Sequence, residues 1–202
     1  PDEINELIVN PRLGIPISSF DFSLTKITIP SSVPSIGPYA FSEFFSLEEI
    51  EFQLPSSLKR IEYNAFEKCS SLKEIKIPSS VTNISRYCFY ECKSLSKVEI
   101  PSSVTSFGQR IFDGVESIEI TGDMKKIPSD FFFMCTSVKC IKISAPVTSI
   151  ETNAFYKCAS LIDVNIPTSV TTIGVNAFHN CLFLKKILIP NSVTIINDFA
   201  FA

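Results

Sequence analysis

The chain has 202 residues, of which 45% are hydrophobic and 19% are charged. Its 18 basic and 21 acidic residues give a formal net charge of −3, which argues against the concentrated basic face of a nucleic-acid-binding protein. The apolar content suffices for a packed core, and no apolar run approaches the roughly 20 residues that span a bilayer. We therefore expect a folded chain with neither a nucleic-acid partner nor a transmembrane segment.

The N-terminal segment, residues 1–23, shares little with the rest of the chain. We interpret it as a degenerate repeat or an N-terminal cap, in which Leu7 and Val9 could form one more strand. It contains no basic segment followed by an apolar one, so no secretory signal is expected within it. Residues 197–202 stop inside a pattern that earlier parts of the chain complete. We expect a fragment truncated within a repeat, in which residues 1–202 form a single domain.

From residue 24 onward, the sequence repeats with a dominant period of about 23 residues. Eight phenylalanines define what we call the Phe position of each repeat: Phe41, Phe66, Phe89, Phe112, Phe132, Phe155, Phe178 and Phe201. The differences between their successive numbers are 25, 23, 23, 20, 23, 23 and 23. A two-residue insertion between Phe52 and Leu58 accounts for the 25, and a three-residue deletion between Phe112 and Ile118 accounts for the 20. Fixed self-similarity of this kind indicates a repeat protein rather than a two-sheet sandwich.

Each repeat predicts one strand with a single buried face. Apolar and polar residues alternate, and a proline that would end the strand often follows. These strands are expected near residues 75–77, 98–100, 118–120, 141–143, 164–166 and 187–189. A second extended piece is expected around Val-Thr-x-Ile, and a helical or 3₁₀ turn around Ala-Phe-x-x-Cys. Because one unit cannot bury its own apolar face, successive units should stack with their strands parallel, as a solenoid.

Seven cysteines raise the question of a metal site or disulfides, but five of them share one repeat position. This Cys position lies three residues after the Phe position and holds Cys69, Cys92, Cys135, Cys158 and Cys181. Zinc sites use closely spaced CxxC pairs, which the sequence lacks, and side chains stacked in parallel suit a disulfide poorly. We expect these five thiols to be small, buried and unpaired core groups.

The sequence predicts no catalytic, cofactor or metal site. The one histidine, His179, is expected to be solvated in a turn without a catalytic partner. The chain lacks a Gly-x-Ser-x-Gly motif and a phosphate-binding glycine loop. Asn83 begins an Asn-Ile-Ser glycosylation sequon, but Ile84 is a core position and use of the site would require secretion. We therefore expect a protein that is not an enzyme.

The outward side chains of the predicted strands form the candidate protein-binding surface. Its proposed centre, Glu99, Glu116 and Glu119, lies in and beside an irregular stretch, residues 105–131. That stretch is either sequence variation that the solenoid tolerates or a local bend that marks the binding site. The competing interpretation of the face is a solvated surface whose charges offset one another across strands. The candidate residues are Glu51, Lys76, Glu99, Glu116, Glu119 and Lys142.

The unit Ile-Pro-Ser-Ser-Val-Thr-x-Ile-x-x-x-Ala-Phe-x-x-Cys-x-Ser-Leu-x-x-Ile resembles the BspA-like class of leucine-rich repeat over about residues 24–202. The resemblance implies a right-handed, mainly β superhelix of the β/α type with a parallel sheet on its concave face. BspA-like proteins of bacteria and parasitic protists are commonly surface adhesins or antigens. The resemblance thus implies a cell-surface location, and a host-matrix or microbial surface protein as partner. A cytoplasmic scaffold for protein partners is the alternative.

Overall fold

The computed structural model describes residues 6–8 and 23–202, with side chains from residue 23 onward. These residues form sixteen short strands and no helix, and from β2 to β15 successive strands alternate between two rows. The first row contains β1 (Glu6–Ile8), β2 (Lys26–Ile29), β4 (Glu49–Phe52), β6 (Glu74–Lys76), β8 (Lys97–Glu99), β10 (Ser117–Thr121), β12 (Cys140–Ile143) and β14 (Asp163–Val164). The second row contains β3 (Ser35–Ile36), β5 (Arg60–Ile61), β7 (Asn83–Ile84), β9 (Ser106–Phe107), β11 (Lys126–Ile127), β13 (Ser149–Ile150), β15 (Thr172–Ile173) and β16 (Ile195–Ile196).

The two rows correspond to the two extended pieces predicted for each repeat, and the described strands pair in parallel. Ile75 of β6 pairs with Val98 of β8 in the first row, and Ile61 of β5 pairs with Ile84 of β7 in the second. Each row is divided once, between β4 and β6 in the first and between β9 and β11 in the second. These divisions lie beside the insertion and the deletion, where neighbouring repeats differ in length. The fold is therefore a parallel β-solenoid, as predicted.

The Phe position forms a continuous stack of rings through the core. Successive ring centroids lie 4.8–5.8 Å apart from Phe41 to Phe201. Most neighbouring rings are nearly parallel, but Phe112 and Phe132, on either side of the deletion, are tilted by 39°. Phe131 packs edge-on against both rings and fills the space that the tilt opens. The rings from Phe66 to Phe178 are fully or almost fully buried, whereas Phe201 is 40% exposed because no further described repeat covers it.

The turn around each Phe position is not helical, which corrects the expected helical or 3₁₀ turn. The residue two before the Phe position has a positive φ in all eight repeats, as does the residue two after it in the first seven. Around Phe66 these are Asn64 (57°) and Lys68 (58°). The left-handed residues turn peptide N–H groups toward the next repeat, where Phe66 N donates to Cys88 O at 3.0 Å. A helix would instead satisfy these donors within its own turns.

Three head-to-tail chains of hydrogen bonds therefore run along this side of the solenoid. We call it the turn edge, comprising the residues from three before to three after each Phe position. The peptide group joining Ala65 to Phe66 accepts a bond from Phe41 N at 2.8 Å, and its own N–H donates to the next repeat. The three chains are interrupted at the shortened repeat, where Arg110 N donates to Phe133 O and one bond replaces the usual three. Backbone bonds thus join successive repeats on three sides: two strand rows and the turn edge.

One strand has a different register from the prediction. Glu119 of β10 pairs with Lys97 of β8, whereas the repeat positions align it with Glu99. The three-residue deletion can be accommodated before or after β10, so the repeat does not fix the register of β10 against β8. A slip of two residues keeps Ile118 and Ile120 on the buried face, which makes the alternative register compatible with the same core.

The predicted strand at residues 187–189 is absent, and β14 is the last strand of the first row. A strand at residues 187–189 would have β14 as its only described neighbour, and β14 itself pairs with β12 along two residues. So short an edge offers few ladder bonds, and Leu188 and Ile189 remain exposed. At the other end, β1 pairs with β2 and places Leu7 opposite Ile27, so an additional strand is present there. Val9 lies outside the described residues.

Candidate protein-binding face

The outward side of the first row forms an open groove of about 900 Å³, which we call the first-sheet face. Alternation along each strand explains it, because Ile75 and Val98 point into the core while Lys76 and Glu99 point outward. The groove is lined by Glu48, Glu49, Ile50, Lys73, Glu74, Ile75, Lys76, Ser96, Lys97, Glu99, Ser117, Ile118, Glu119 and Lys142. Four of the six candidate residues, Lys76, Glu99, Glu119 and Lys142, are thus brought into one groove.

Ion pairs between neighbouring strands cross the middle of the first-sheet face. Lys76 Nζ lies 3.0 Å from Glu99 Oε1, and Lys142 Nζ lies 2.9 Å from Glu119 Oε1. The partners in each pair are one full period apart in the sequence, so the repeat itself places opposite charges side by side. Both lysine side chains are largely exposed, so each pair contributes little stability and its charges remain accessible to a partner.

The other two candidates, Glu51 and Glu116, lie beside the groove and are paired in the same way. Glu51 forms an ion pair with Lys26 at 3.0 Å, and Glu116 forms one with Lys139 at 2.9 Å. Each of the three acids proposed as the centre of the site is therefore balanced by a lysine. The face presents alternating charges rather than an acidic patch.

Glu119 is held in its charged form by the groups around it. The Ser144 hydroxyl donates to Glu119 Oε1 at 2.6 Å and is the largest cause of a lowered pKa for this carboxyl. Lys142 and, more weakly, Lys97 lower the pKa further because both are nearby positive charges. The carboxylate therefore keeps its charge to a lower pH than a free glutamate side chain does.

Two turn residues that were not predicted as site residues also line the groove. Glu48 and Lys73, which precede β4 and β6, pair at 2.9 Å along one side of the groove. Glu74 and Lys97, which face each other in the register of β6 and β8, line the groove as well. The separation of Glu48 and Lys73 in the sequence equals the length of the repeat that carries the insertion, so this pair could have been found from spacing.

The Cys position forms its own ladder inside the solenoid. The Cys69 thiol donates to Phe41 O at 3.1 Å and the Cys92 thiol donates to Phe66 O at 3.0 Å, each reaching back one repeat. All seven cysteines are free, which confirms that the five at this position are unpaired. Four of the five are buried, but Cys181 is only partly buried because the adjoining residues 182–189 leave it uncovered. Burial raises the pKa of Cys181 to about 12 and the pKa of Cys92 well above its ordinary value.

Thiol titration of the native protein with Ellman's reagent should show three rates. Cys140 is exposed and should react quickly, Cys181 should react at an intermediate rate, and the other five should react slowly. Burial excludes the reagent from all five, and the raised pKa of Cys88, Cys92 and Cys158 leaves these three little thiolate to attack it. Denaturation without reductant should release all seven thiols. Rapid native reaction of three or more, or fewer than seven after denaturation, would contradict the buried, unpaired assignment.

The remaining candidates do not converge on the first-sheet face. His179 is half-buried rather than solvated, because its ring stacks on Tyr156 with centroids 5.2 Å apart. The Asn83 side chain donates to Ser106 Oγ at 2.9 Å on the second row. Among the described residues, no cluster of His, Cys, Asp or Glu could hold a metal ion. No helix in this part of the chain is long and apolar enough to cross a membrane.

The irregular stretch, residues 105–131, is tied into the solenoid by specific contacts. Asp113 is buried, and its Oδ1 accepts bonds from Ser137 N at 3.3 Å, Ser137 Oγ at 3.2 Å and Thr136 Oγ1 at 3.2 Å. Gly122 has a φ of 100°, and a Cβ there would lie 2.4 Å from Ile100 O, so the turn after β10 requires glycine. The shortened repeat is thus packed closely against both of its neighbours.

Comparison with known structures shows the same fold in bacterial proteins. The T. pallidum leucine-rich repeat protein TpLRR is 27% identical, with a TM-score of 0.56, and the match covers 91% of this chain and 79% of that one. A leucine-rich repeat protein from Eubacterium ventriosum is 26% identical, with a TM-score of 0.55, over 89% of this chain. The match covers 58% of the E. ventriosum chain, so this chain spans little more than half its length.

The family relationship rests on the repeat itself. No curated protein matches the chain. The family described as "BspA type Leucine rich repeat region (6 copies)" matches residues 14–121 and 113–202, which together span most of the chain. The matched residues contain the stacked Phe and Cys positions and the described strands from β2 onward. The chain therefore belongs to the family of BspA-type leucine-rich repeat proteins.

Proposed function

We propose that this chain is a protein-binding module, the ligand-binding part of a cell-surface adhesin or antigen, and that residues 1–202 act as one unit. The first-sheet face is its binding surface. One observation carries the proposal: an open groove of about 900 Å³ is lined mostly by charged and polar side chains that take no part in the core. Sequence change at these positions can alter partner choice without altering the fold. The surface location is supported by the resemblance to BspA-like adhesins.

The charge pattern of the first-sheet face suits a protein partner. Acidic and basic side chains alternate between strands that lie about 4.8 Å apart. A partner with the complementary pattern can exchange the ion pairs within this chain for ion pairs across the interface. Such contacts select among partners and weaken as salt is added. A host extracellular-matrix protein or a microbial surface protein fits this description, whereas a nucleic-acid duplex would need an excess of positive charge.

Reversing two acids of the groove should weaken attachment while leaving the fold intact. The double variant Glu99→Lys/Glu119→Lys replaces two ion pairs by two lysine–lysine contacts with Lys76 and Lys142. The melting temperature should change little because both acids are on the surface. Binding to a panel of purified extracellular-matrix proteins, measured by biolayer interferometry at two salt concentrations, should fall. The salt dependence of the remaining binding should change as well.

The matched control is Asp130→Lys/Glu151→Lys, which makes the same change in net charge away from the first-sheet face. This variant should bind as the parent chain does. If the folded groove variant binds normally, the site lies elsewhere, on the convex side or in the loops. If the unmodified chain binds no extracellular protein and the full-length sequence is cytosolic, the intracellular scaffold function is favoured instead.

A further inference from the structure

Four of the five tyrosines lie together on the turn edge of the early repeats. Tyr39 and Tyr63 pack edge to face with ring centroids 5.4 Å apart, and Tyr87 and Tyr90 pack in the same way at 5.6 Å. Tyr39, Tyr87 and Tyr90 line a depression of about 290 Å³, and Tyr63 lines an adjoining one of about 540 Å³. Arg86 lines both depressions. We call these five residues the tyrosine patch.

Arg86 gives the tyrosine patch a positive charge that forms no ion pair with another described residue. Its guanidinium lies 5.7 Å from the centre of the Tyr63 ring, and the side chain is exposed. None of the ion pairs among the described residues includes Arg86. Glu67 lines the same depression but forms no ion pair with Arg86; its carboxylate accepts from the Asn64 amide at 2.8 Å. Glu62 pairs with Arg60 at 3.2 Å. The cation is therefore available to an external acid.

The residue types in the patch indicate the chemistry of its partner. A guanidinium binds a carboxylate through two parallel hydrogen bonds. Tyrosine and arginine are also the residues on which binding energy concentrates at protein interfaces. Each edge-to-face pair covers one face of one ring, and Arg86 lies over a face of Tyr63. A nucleic acid would need several cations for its phosphates, and Arg86 is the one cation among the described residues that line the two depressions.

We propose that the tyrosine patch binds an acidic segment of a partner protein. One carboxylate of that segment pairs with Arg86, and adjacent apolar side chains pack against the edges of the tyrosine rings. The patch lies on the turn edge, whereas the groove lies on the first-sheet face, so the two surfaces share no residue. The solenoid thus has a second surface for protein contact, whose test is independent of the groove.

The fifth tyrosine provides an internal control for the experiment. Protein labelled with 3-fluorotyrosine should give five ¹⁹F resonances, four from the patch and one from Tyr156, which stacks between Phe133 and His179 in later repeats. The probe is the capped peptide acetyl-Gly-Phe-Glu-Phe-Gly-amide. It should shift the patch resonances and leave the Tyr156 resonance in place. The matched peptide with glutamine in place of glutamate should bind at least about tenfold more weakly, because it lacks the carboxylate.

Variants of arginine complete the test. Arg86→Gln should abolish the preference for the glutamate peptide, and Arg86→Lys should retain part of it because lysine lacks the planar fork. Arg60→Gln is the control and should keep the preference, since Arg60 is already paired with Glu62. The proposal is overturned if neither peptide shifts the patch at millimolar concentration, if both bind equally, or if Arg86→Gln discriminates normally. Equal shifts with N-acetylneuraminate would assign the patch to acidic carbohydrate instead.

Discussion

Replacing Phe89 by alanine should lower the free energy of unfolding by about 3–5 kcal/mol. The ring is fully buried and lies parallel to Phe66 and Phe112, with centroids 5.6 Å and 5.8 Å away. The neighbouring repeats cannot close the resulting cavity easily, because Phe89 N is bonded to Ile111 O at 3.0 Å and the strand rows fix the spacing. Urea unfolding followed by far-ultraviolet circular dichroism measures the loss, since the chain has no tryptophan.

The matched control is Phe183→Ala. Phe183 is 58% exposed and belongs to no ring stack, so its removal should change stability by less than about 0.5 kcal/mol. A solenoid is stabilised by contacts between neighbouring repeats, so the Phe89 cavity could also uncouple the two halves of the chain. Uncoupling would appear as a lower denaturant slope or a second transition. A loss below about 1 kcal/mol with an unchanged slope would show that the stack does not stabilise the core as described.

Replacing Asp113 by alanine should cost about 2–3 kcal/mol, the second-largest effect expected. Three donors of Thr136 and Ser137 would lose the Oδ1 acceptor that they share across the repeat boundary. Asp113 is 6% exposed, so water reaches these donors poorly after the substitution. Differential scanning calorimetry of the variant should show a lower melting temperature.

Two further variants separate the hydrogen bonds of Asp113 from its charge. Asp113→Asn retains an acceptor oxygen and should recover part of the lost stability. Asp163→Ala removes an exposed acid of β14 and should be nearly neutral. If Asp113→Ala is as stable as Asp163→Ala, then these bonds do not anchor the shortened repeat, and Phe131 and its ring neighbours must hold it alone.

Much of the fold could be predicted because the period specifies it. The regular spacing places Phe66 under Phe89 and Ile75 beside Val98, and burial of one face then requires parallel stacking. The turn conformation could not be predicted in the same way. Asn64 suits a positive φ, but Tyr87 occupies the same position with φ of 56° and is not a residue that signals it. Bonds to the next repeat favour this conformation, and such bonds are not visible in a single unit.

The candidate site was predictable where the period is regular. Lys76 and Glu99 are one period apart and do pair, so the prediction that charges offset one another across strands holds for them. Glu119 is different, because the two-residue slip of β10 gives it Lys97 as the register partner on β8. The tyrosine patch was missed because its members are spread over three positions of the repeat, so no single position shows a regular run of tyrosines. Only the geometry of the turn edge brings Tyr63 and Tyr90 into one patch.

The head-to-tail chains along the turn edge also have an electrostatic consequence. Each peptide group carries a dipole of about 3.5 D. Within strands the groups alternate in direction and largely cancel, but three groups per repeat on the turn edge point the same way, with N–H toward later repeats. The edge therefore has a net dipole whose positive end lies at later repeats, the reverse of the sense in an α-helix. A partner segment whose negative charge is concentrated at one end is favoured with that end toward the later repeats.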